Sequence, residues 1–524
     1  MKINLMKRIV SGITCAMLTM GMIGTTPVSA INGDATIDTT KSVTLTIHKL
    51  APKPVEKAME GNGVKLSNLP KGTSGLPEIQ FKISKTNIKI APGDVSTLSV
   101  TAAQVKADSA TYNVTEKKIV TTGEDGTVVV TGLEQAVYLV EEIPNPSVKS
   151  PIPDFLVSLP MTNADGNGWN YDVHVYPKND VIDGPKIDKD VKSTNNDHTS
   201  AKVGDKVEWI IRPEIPSDLY FTDAKNEEVY AKNFEIVDNI DAALKYIDTE
   251  DPSFKINGVD VALVKGIDYT ATLVGATDGK GGTFTIKLLN PGMKKIMEAA
   301  NYKNPITELK KLDIYFKTEI TKDALSKDAI FNGATLNYTN HSNKNYNPSV
   351  ADGDKPEVHT GSTGLTKYAK DTNDVLKDAE FKIASSQENA KAGRFLQYDS
   401  VTGKVSEWTE GAANDYTVKS GVDGVVKFQG LAFDEANING SKDYWIVETQ
   451  APNEYSLLKD PVKVTVEKNS SLDNSIATVK IYNAHKFRLP LTGGKGNTIF
   501  IVAGTSLITF AGILLVLSRK KKNA

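Results

Sequence analysis

Hydrophobic and polar residues alternate with a period of two through much of the central chain. Clear examples are the segments 42–47, 127–130 and 462–466, which are rich in Val, Ile and Thr. Such residues favour strands with one buried face. Turns rich in Gly, Asn and Asp, as at 123–126, separate these runs. The pattern predicts an all-β chain of antiparallel β-sandwich modules, with few helices, of which 293–300 is the best candidate.

Part of the pattern occurs twice, towards the two ends of the central chain. A Tyr with a Glu four residues later follows each copy, at Tyr138 and Glu142 and at Tyr444 and Glu448. We therefore predict that the first and last domains are related, with a longer, different domain between them. The matching positions are Gly123, Gly126, Val128, Val130, Gly132 and Leu133 in one copy and Gly421, Gly424, Val426, Phe428, Gly430 and Leu431 in the other, and Phe81-Lys82-Ile83 echoes Phe381-Lys382-Ile383.

Domain boundaries are predicted where Gly, Pro and Asp accumulate, near Asp180 and near Gly361. The chain length of 524 residues agrees with this division, because a domain typically has roughly 150 residues. The predicted domains are 31–180, 181–361 and 362–487, with terminal segments at 1–30 and 488–524.

The N-terminal segment has the composition of a secretory signal. Basic residues precede a mostly apolar stretch at 9–23, and Val28-Ser29-Ala30 supplies small residues at its end. This order is typical of a signal peptide that is removed after Ala30. Because the single cysteine, Cys15, lies in this segment, the mature chain would have no thiol. That excludes disulfides, thiolate metal sites and cysteine nucleophiles.

The C-terminal segment has three parts in a fixed order. Leu489-Pro490-Leu491-Thr492-Gly493 comes first, the uncharged stretch 498–517 follows, and the basic residues 519–522 come after it. The stretch is long enough to cross about 30 Å of hydrocarbon, and a basic cluster stays on the cytoplasmic side. This order resembles the cell-wall sorting signal of Gram-positive bacteria. The resemblance implies that a sortase cuts between Thr492 and Gly493, holds Thr492 as a thioester and transfers it to an amine.

The first predicted domain ends on a strand that a proline stops, at residues 169–179. Its pattern W-x-x-x-V-x-V-Y-P-K resembles the pilin motif of Gram-positive backbone pilins. The resemblance implies that Lys178 attacks the Thr492 thioester of another copy, so that amides join subunits head to tail. Lysine suits this role because its deprotonated amine is a good acyl acceptor on a long stem. Without the adjoining sorting signal, Lys178 would be read as an ordinary solvated lysine.

The last domain contains Y-W-I-V-E-T-Q-A-P at 444–452, which resembles the pilin E-box Y-x-L-x-E-T-x-A-P with Ile446 in place of Leu. On a strand, Tyr444, Ile446 and Glu448 share one face, so Glu448 would point into the core. A buried carboxylate needs a partner or a proton. The resemblance supplies a reason, an intramolecular isopeptide bond between a Lys and an Asn, which a buried acid assists by a hydrogen bond to the amide oxygen.

The resemblance to pilins with collagen-binding-protein B-type (Cna B) domains implies one Lys–acid–Asn triad per domain, in immunoglobulin-like sandwiches. In the first domain the Glu-Thr-x-Ala-Pro part of the E-box is missing, and Glu142 could instead be an exposed strand residue. In the middle domain, alternation along 234–240 places Asp238 inside. Lys370, Lys186 and Asn337 remain alternatives. The triads are Lys49, Glu142 and Asn179; Lys189, Asp238 and Asn332; and Lys367, Glu448 and Asn483.

Charge and motif content narrow the function classes. The formal net charge of −3 offers no basic surplus for nucleic acid. The six histidines are scattered without a His-Glu-x-x-His pattern, so no metal site, cofactor or enzymatic activity is expected. The leading interpretation is the structural backbone subunit of a secreted, wall-anchored pilus with a role in adhesion. Its expected partners are sortase, further copies, minor tip and base pilins, peptidoglycan and a candidate host receptor. The alternatives are a non-polymerised wall-anchored adhesin and, less favoured, a surface enzyme.

Overall fold

The computed structural model describes residues 36–52, 61–69, 72–90, 100–163, 165–179, 181, 184–223, 225–303, 306, 308–467, 479–487 and 496–522. The chain divides into two compact units, Met1–Val181 and Ile182–Ala524. The predicted signal at 1–30 and the motif at 489–493 lie outside the described residues. The second unit contains both domains that the sequence predicts at 181–361 and 362–487, so their separation stays a prediction.

The first unit is a sandwich of short strands. Sheets β11-β1-β6 and β5-β4-β7-β8 enclose a core that includes Leu45, Phe81, Tyr138 and Val173. Its elements are β1 (Val43–His48), β2 (Leu50–Pro52), β3 (Thr73–Gly75), β4 (Gln80–Lys85), α1 (Ala102–Ala107), β5 (Thr115–Thr121), β6 (Thr127–Leu133), β7 (Ala136–Glu142), β8 (Phe155–Leu159), β9 (Met161–Thr162), β10 (Trp169–Asn170) and β11 (Asp172–Val175).

The first part of the second unit contains one large and two small sheets. Its strands are β12 (Ile187–Val191), β13 (His198–Ser200), β14 (Lys206–Pro213), β15 (Tyr220–Thr222), β16 (Glu228–Tyr230), β17 (Asn233–Tyr246), β18 (Ser253–Ile256), β19 (Val259–Asp260), β20 (Tyr269–Val274), β21 (Lys280–Leu288), β22 (Asp313–Ile320), β23 (Ile330–Phe331), β24 (Thr335–Thr339), β25 (Asn345–Tyr346) and β26 (Glu357–His359). The large sheet has the central strand order β12-β14-β22-β17-β21-β20. The strands β13-β26-β23 and β15-β16 form the two small sheets. Helix α2 (Asn290–Ala300) agrees with the predicted helix and ends at Asn301 in the left-handed conformation, which Asn tolerates.

The second unit continues with two further sheets, β32-β27-β35 and β31-β28-β33-β34. They enclose a core that includes Leu365, Phe381, Phe428 and Tyr444. The elements are β27 (Gly361–Ala369), β28 (Glu380–Ala384), α3 (Gln387–Lys391), β29 (Gln397–Tyr398), β30 (Val405–Ser406), β31 (Thr417–Lys419), β32 (Val425–Leu431), β33 (Ser441–Gln450), β34 (Val462–Glu467) and β35 (Lys480–Asn483).

The sequence repeat corresponds to the same pairing in both places. β1 lies between β6 and β11, and β27 lies between β32 and β35. The β1–β11 and β27–β35 pairs are parallel, whereas the other strand pairs of these sandwiches are antiparallel. The prediction of purely antiparallel sandwiches was therefore wrong for these two pairs, because side-chain alternation carries no information on strand direction.

The described part of the chain ends with helix α4 (Gly496–Lys522). Within it, Thr498–Lys521 is long and apolar enough to cross a membrane. The predicted span at 498–517 falls inside this helix.

Candidate functional site

Three lysines of the described chain are completely buried. Lys49, Lys189 and Lys367 each have an exposed fraction of 0%, which is rare for a charged side chain without a partner. Each ammonium group contacts a buried carboxylate, of Glu142, Asp238 and Glu448 respectively. We call these groups, with Asn179, Asn332 and Asn483, the first, middle and third clusters.

In the third cluster all three predicted side chains are in contact. Lys367 donates a hydrogen bond to Oδ1 of Asn483, and its Nζ lies 3.3 Å from Glu448 Oε1. Nδ2 of Asn483 donates to both Glu448 oxygens, at 2.8 and 3.1 Å. Burial of Glu448 follows from β33, in which Tyr444, Ile446 and Glu448 are the buried positions of the alternation.

In the first cluster, Glu142 joins the other two side chains. Lys49 Nζ donates to Glu142 Oε2 at 2.6 Å, and Asn179 Nδ2 donates to Glu142 Oε1. Glu142 is only 5% exposed, so it is not the exposed strand residue that the sequence left open. The backbone N–H of the residue ten positions later also donates to the carboxylate, from Ile152 here and from Leu458 in the third cluster.

In the middle cluster, Lys189 contacts Asp238 and the backbone of Gly333, the residue after Asn332. Its Nζ donates to Asp238 Oδ2 and, at 3.4 Å, to the backbone carbonyl of Gly333. Asn332 is 0% exposed, and neither its amide nitrogen nor its amide oxygen has a hydrogen-bond partner. A buried amide without hydrogen bonds costs about 1–3 kcal/mol. The side chain of Asn332 therefore gains no stability from hydrogen bonds with the described residues.

The alternative residues lie elsewhere. Lys370 and Lys186 are exposed. Asn337 is half-buried, and its Nδ2 donates to Glu235 Oε1 at 3.1 Å. None of the three therefore takes part in the buried clusters as described.

Burial shifts the pKa of the three lysines and of Asp238 towards their uncharged forms. Loss of hydration lowers the pKa of Lys49 and of Lys189 to about 8, and lowers the pKa of Lys367 as well. The same burial raises the pKa of Asp238. Both directions follow from the cost of holding a charge away from water. The consequence is a larger fraction of neutral, nucleophilic amine than an exposed lysine has at neutral pH.

One detail of the predicted chemistry needs correction. The sequence analysis placed a hydrogen bond between the acid and the amide oxygen. In the first and third clusters the carboxylate instead accepts from the amide nitrogen, of Asn179 and of Asn483. The NH2 group is the donor side of the amide, so its hydrogen bonds end on the carboxylate oxygens. The acid therefore contacts both the lysine amine and the Asn amide nitrogen.

Glycines of the repeat hold two of these lysines. The backbone N–H of Lys49 donates to Gly126 O, and that of Lys367 donates to Gly424 O, both at 2.8 Å. Both glycines have positive φ, +76° and +74°, and a Cβ on either would come within 2.7 Å of the carbonyl oxygen of the same lysine. Only glycine fits this close approach. The sequence repeat therefore has a structural reason at the clusters.

Aromatic rings beside the lysines were missed as site residues. Phe81 and Phe381 lie 5.7 Å from the Nζ atoms of Lys49 and Lys367, and Trp209 lies 5.2 Å from that of Lys189. These rings help to exclude water and stabilise any residual positive charge. The repeated Phe-Lys-Ile sequence includes the two phenylalanines. A sequence repeat does not show which residues its members contact, so it could not identify these rings as neighbours of the lysines.

Lys178 is placed differently from the buried lysines. It is half-buried, and its ammonium group makes no hydrogen bond or ion pair with the described residues. Its backbone forms a parallel bridge with Leu50, and the N–H of Asn179 donates to Leu50 O at 3.1 Å. Its predicted partner Thr492, like the rest of the 489–493 motif, lies outside the described residues.

Comparison with known proteins identifies related families along most of the chain. Residues 40–180 match the Gram-positive pilin subunit D1, N-terminal domain. Residues 361–480 match a prealbumin-like fold domain, and residues 483–524 match the LPXTG cell wall anchor motif.

Full-length relatives cover nearly the same span. The chain is 30% identical over 520 residues to fimbrial subunit type 1 of Actinomyces viscosus, covering 93% of this chain and 92% of that one. It is 25% identical over 551 residues to fimbrial subunit type 2 of Actinomyces naeslundii, covering 96% and 95%. The solved structure of the major pilin SpaD of Corynebacterium diphtheriae is 22% identical, covers 87% of this chain and 100% of that one, and superposes with a TM-score of 0.40.

Proposed function

This chain belongs to the family of Gram-positive fimbrial subunits, and from that premise we propose that Thr492 of one copy is joined covalently to Lys178 of the next. The chain is a pilus backbone subunit, anchored to the cell wall through its C-terminal signal. The proposal concerns how the fibre is held together. Its partners are sortase and further copies of the chain, with minor tip and base pilins and peptidoglycan at the ends of the fibre.

The observation that carries the proposal is the opposite environment of two consecutive residues. Asn179 is 3% exposed and donates a hydrogen bond to Glu142, whereas Lys178 is half-buried and its ammonium group has no partner among the described residues. The bridge to Leu50 holds the backbone between them. Lys178 is therefore available to an enzyme, on a backbone that the first unit fixes.

The intersubunit step is an acyl transfer. A sortase thiolate attacks the Thr492 carbonyl carbon, the Thr492–Gly493 amide bond breaks, and the new Gly493 amino terminus leaves with a proton. The neutral amine of Lys178 then attacks the thioester. An amide forms, the thiolate is released, and the amine loses one proton.

The internal clusters form isopeptide bonds by a different, self-contained reaction. The lysine Nζ attacks the Asn side-chain carbonyl carbon, a new C–N bond forms, and the Asn C–Nδ2 bond breaks. The acid accepts the proton from the amine and delivers it to the leaving nitrogen, which departs as ammonia. The contacts of Glu448 with both Lys367 and Asn483 support this route.

The positions of these bonds define which segments carry tension. A pull between Lys178 and Thr492 leaves the first unit largely outside the tensile path. In the second unit, tension passes from Lys189 to Asn332 and from Lys367 to Asn483 through the bonds. The tension then bypasses the segments 190–331 and 368–482, so the hydrogen bonds between the strands of these segments carry little force.

The bond of the first unit consequently has another role. Because β1 and β11 are parallel neighbours, a link from Lys49 to Asn179 ties the residue after Lys178 to the core. We assign this link to holding Lys178 in place for sortase. The link is a positioning device for polymerisation.

The test is a chromosomal Lys178→Ala substitution in the bacterium that produces the chain. Wall extracts of the wild type are expected to give SDS-resistant ladders, which the variant loses while still anchoring single subunits. Lys149→Ala is the control, because Lys149 is an exposed lysine of the same unit. Ladders that persist in the Lys178→Ala strain would refute the assignment, and a complete lack of ladders in the wild type would favour the non-polymerised adhesin.

A further inference from the structure

Two histidines and a glutamate, far apart in the sequence, meet in the second unit. Strands β13 and β26 pair in parallel, with His198 opposite Glu357 and Ser200 opposite His359. One ligand atom from each of His198, Glu357 and His359 lies within 4.8 Å of those of the other two. These are the side chains that bind zinc and similar divalent ions in proteins.

The hydrogen bonding of His359 prepares one ring nitrogen for a metal. His359 is 0% exposed, and its Nδ1 lies 2.7 Å from the backbone carbonyl of Asp328. Because a carbonyl only accepts, Nδ1 carries the proton, and Nε2 is left with its lone pair in the neutral ring. A metal-binding histidine usually has this second hydrogen bond, which fixes its orientation.

The lone-pair nitrogen faces a carboxylate at a suitable distance. Nε2 of His359 lies 3.2 Å from Oε2 of Glu357. This ring nitrogen makes no hydrogen bond with the described residues. Two ligands each about 2 Å from a tetrahedral zinc ion are separated by roughly 3.3 Å. The pair therefore has the spacing of two ligands of one ion.

The surroundings are largely closed to water. His198 is 9% exposed, and the ring of Phe433 lies 5.9 Å from that of His198 and 6.1 Å from that of His359. The N–H of Phe433 also donates to Ser200 Oγ at 2.8 Å, next to the cluster. An ion bound here would be shielded from solvent on the Phe433 side, which strengthens its attraction to Glu357.

We propose that His198, Glu357 and His359 bind one divalent transition-metal ion, with zinc as the best match. Two imidazole nitrogens and one carboxylate oxygen give three protein ligands, and a water molecule would complete four. The borderline-soft donor set favours zinc over calcium or magnesium, which prefer oxygen ligands.

The ion would close a gap in the tensile path. If the proposed bonds exist, the longest segment that they leave under tension in the second unit is 333–366, between Asn332 and Lys367. A metal that joins β13 to β26 ties the end of this segment to β13, which follows Lys189 closely in the chain. This consequence depends on the proposed function, whereas metal binding itself does not.

The test is metal titration of the full chain, purified in detergent and stripped with a chelator. Calorimetric titration with Zn²⁺ is expected to show one equivalent, and Co²⁺ to give the intense visible bands of a tetrahedral site. Glu357→Gln and His359→Gln should each weaken binding at least about 100-fold, beyond the 10–100-fold typical of an outer-shell partner. His485→Gln, an exposed histidine of the same unit, should leave binding unchanged.

Two results would overturn the site: no stoichiometric binding to the wild type, or binding that survives both the Glu357→Gln and the His359→Gln substitution. Glu357→Gln is the more informative variant because Glu357 is half-buried and its amide has nearly the same shape. Added Zn²⁺ should also raise the unfolding temperature of the wild type but not of Glu357→Gln. Neither readout requires polymerisation, so a failure here is distinct from a failure of the Lys178 assignment.

Discussion

Lys367 lies on β27 two residues before Ala369, the register partner of Asn483 on the parallel strand β35, and it donates a hydrogen bond to Asn483 Oδ1. Because the strands are parallel, the chain enters at the start of β27 and leaves at the end of β35, at opposite ends of the pair. A bond between these residues therefore carries tension directly from one strand to the other. This geometry leads to predictions for each cluster.

Glu448→Gln should abolish the bond of the third cluster. Gln cannot accept the proton that the lysine amine gives up, so the reaction stops and Lys367 stays a free amine, buried without its acid. The intact mass is expected to exceed that of the wild type by about one ammonia, and breaking a buried pair should cost about 3–5 kcal/mol. Mass spectrometry and calorimetry check this. Lys370→Ala, at an exposed position, should keep the mass deficit, and an equal deficit in Glu448→Gln would contradict the assigned role.

Asn332→Ala should remove the bond of the middle cluster, whereas Asn337→Ala should not. The side chain of Asn332 is buried without a hydrogen bond to the described residues, one residue before the Gly333 carbonyl that Lys189 contacts, whereas Asn337 already donates to Glu235. Peptide mapping should recover the branched peptide that links 189 to 332 from Asn337→Ala and not from Asn332→Ala. The opposite result would transfer the assignment to Asn337.

Gly424→Ala should destabilise the third sandwich more than Gly411→Ala. Both positions have positive φ, +74° and +81°, so both substitutions carry a backbone cost of about 1 kcal/mol. Only at Gly424 would the new Cβ also lie 2.7 Å from Lys367 O, whereas Gly411 has nothing within 4 Å. Calorimetric unfolding should separate the two variants, and equal losses would rule out the close contact as the reason for Gly424.

Asn179→Ala should make the stability of the first unit depend on alkaline pH. Without the bond, Lys49 keeps its amine, with a pKa of about 8 in the folded chain against 10.5 when exposed. Below about pH 8, Lys49 is protonated in both the folded and the unfolded chain. The folded chain then bears the full free-energy cost of burying the charged amine. Between pH 8 and 10.5 only the unfolded chain holds the proton, so the free energy of unfolding should rise by up to about 3 kcal/mol.

The calorimetric transition that Asn179→Ala lowers should therefore recover at pH 10. In the double variant Lys49→Met with Asn179→Ala, this recovery should be absent, since no titrating amine remains. A recovery of the same size in the double variant would assign the effect to another group.

The polymer itself should respond to the first cluster more than to the others. Asn179→Ala frees the backbone next to Lys178, so ladders in wall extracts should become shorter. Asn332→Ala, which weakens a different part of the chain, should leave the ladder length unchanged. Ladders of equal length in both strains would remove the positioning role from the first-unit bond.

Many features of this protein could be predicted from local sequence patterns. Period-two alternation predicted the strands and the inward direction of Asp238 and Glu448, because successive side chains of a strand point to opposite faces. The order of the C-terminal parts likewise predicted an anchor at 488–524, within the residues 483–524 that match the cell wall anchor motif. These features depend on neighbours in the chain and can be read without a structure.

Features that join distant segments required the tertiary structure. Alternation does not specify strand direction, so the parallel β1–β11 and β27–β35 pairs were not foreseen. The acid's contact with the amide nitrogen depends on which donors the fold delivers to it. His198 and His359 looked scattered because only the pairing of β13 with β26 brings them together. Sequence determined what each strand buries, and packing between distant strands decided which buried groups meet.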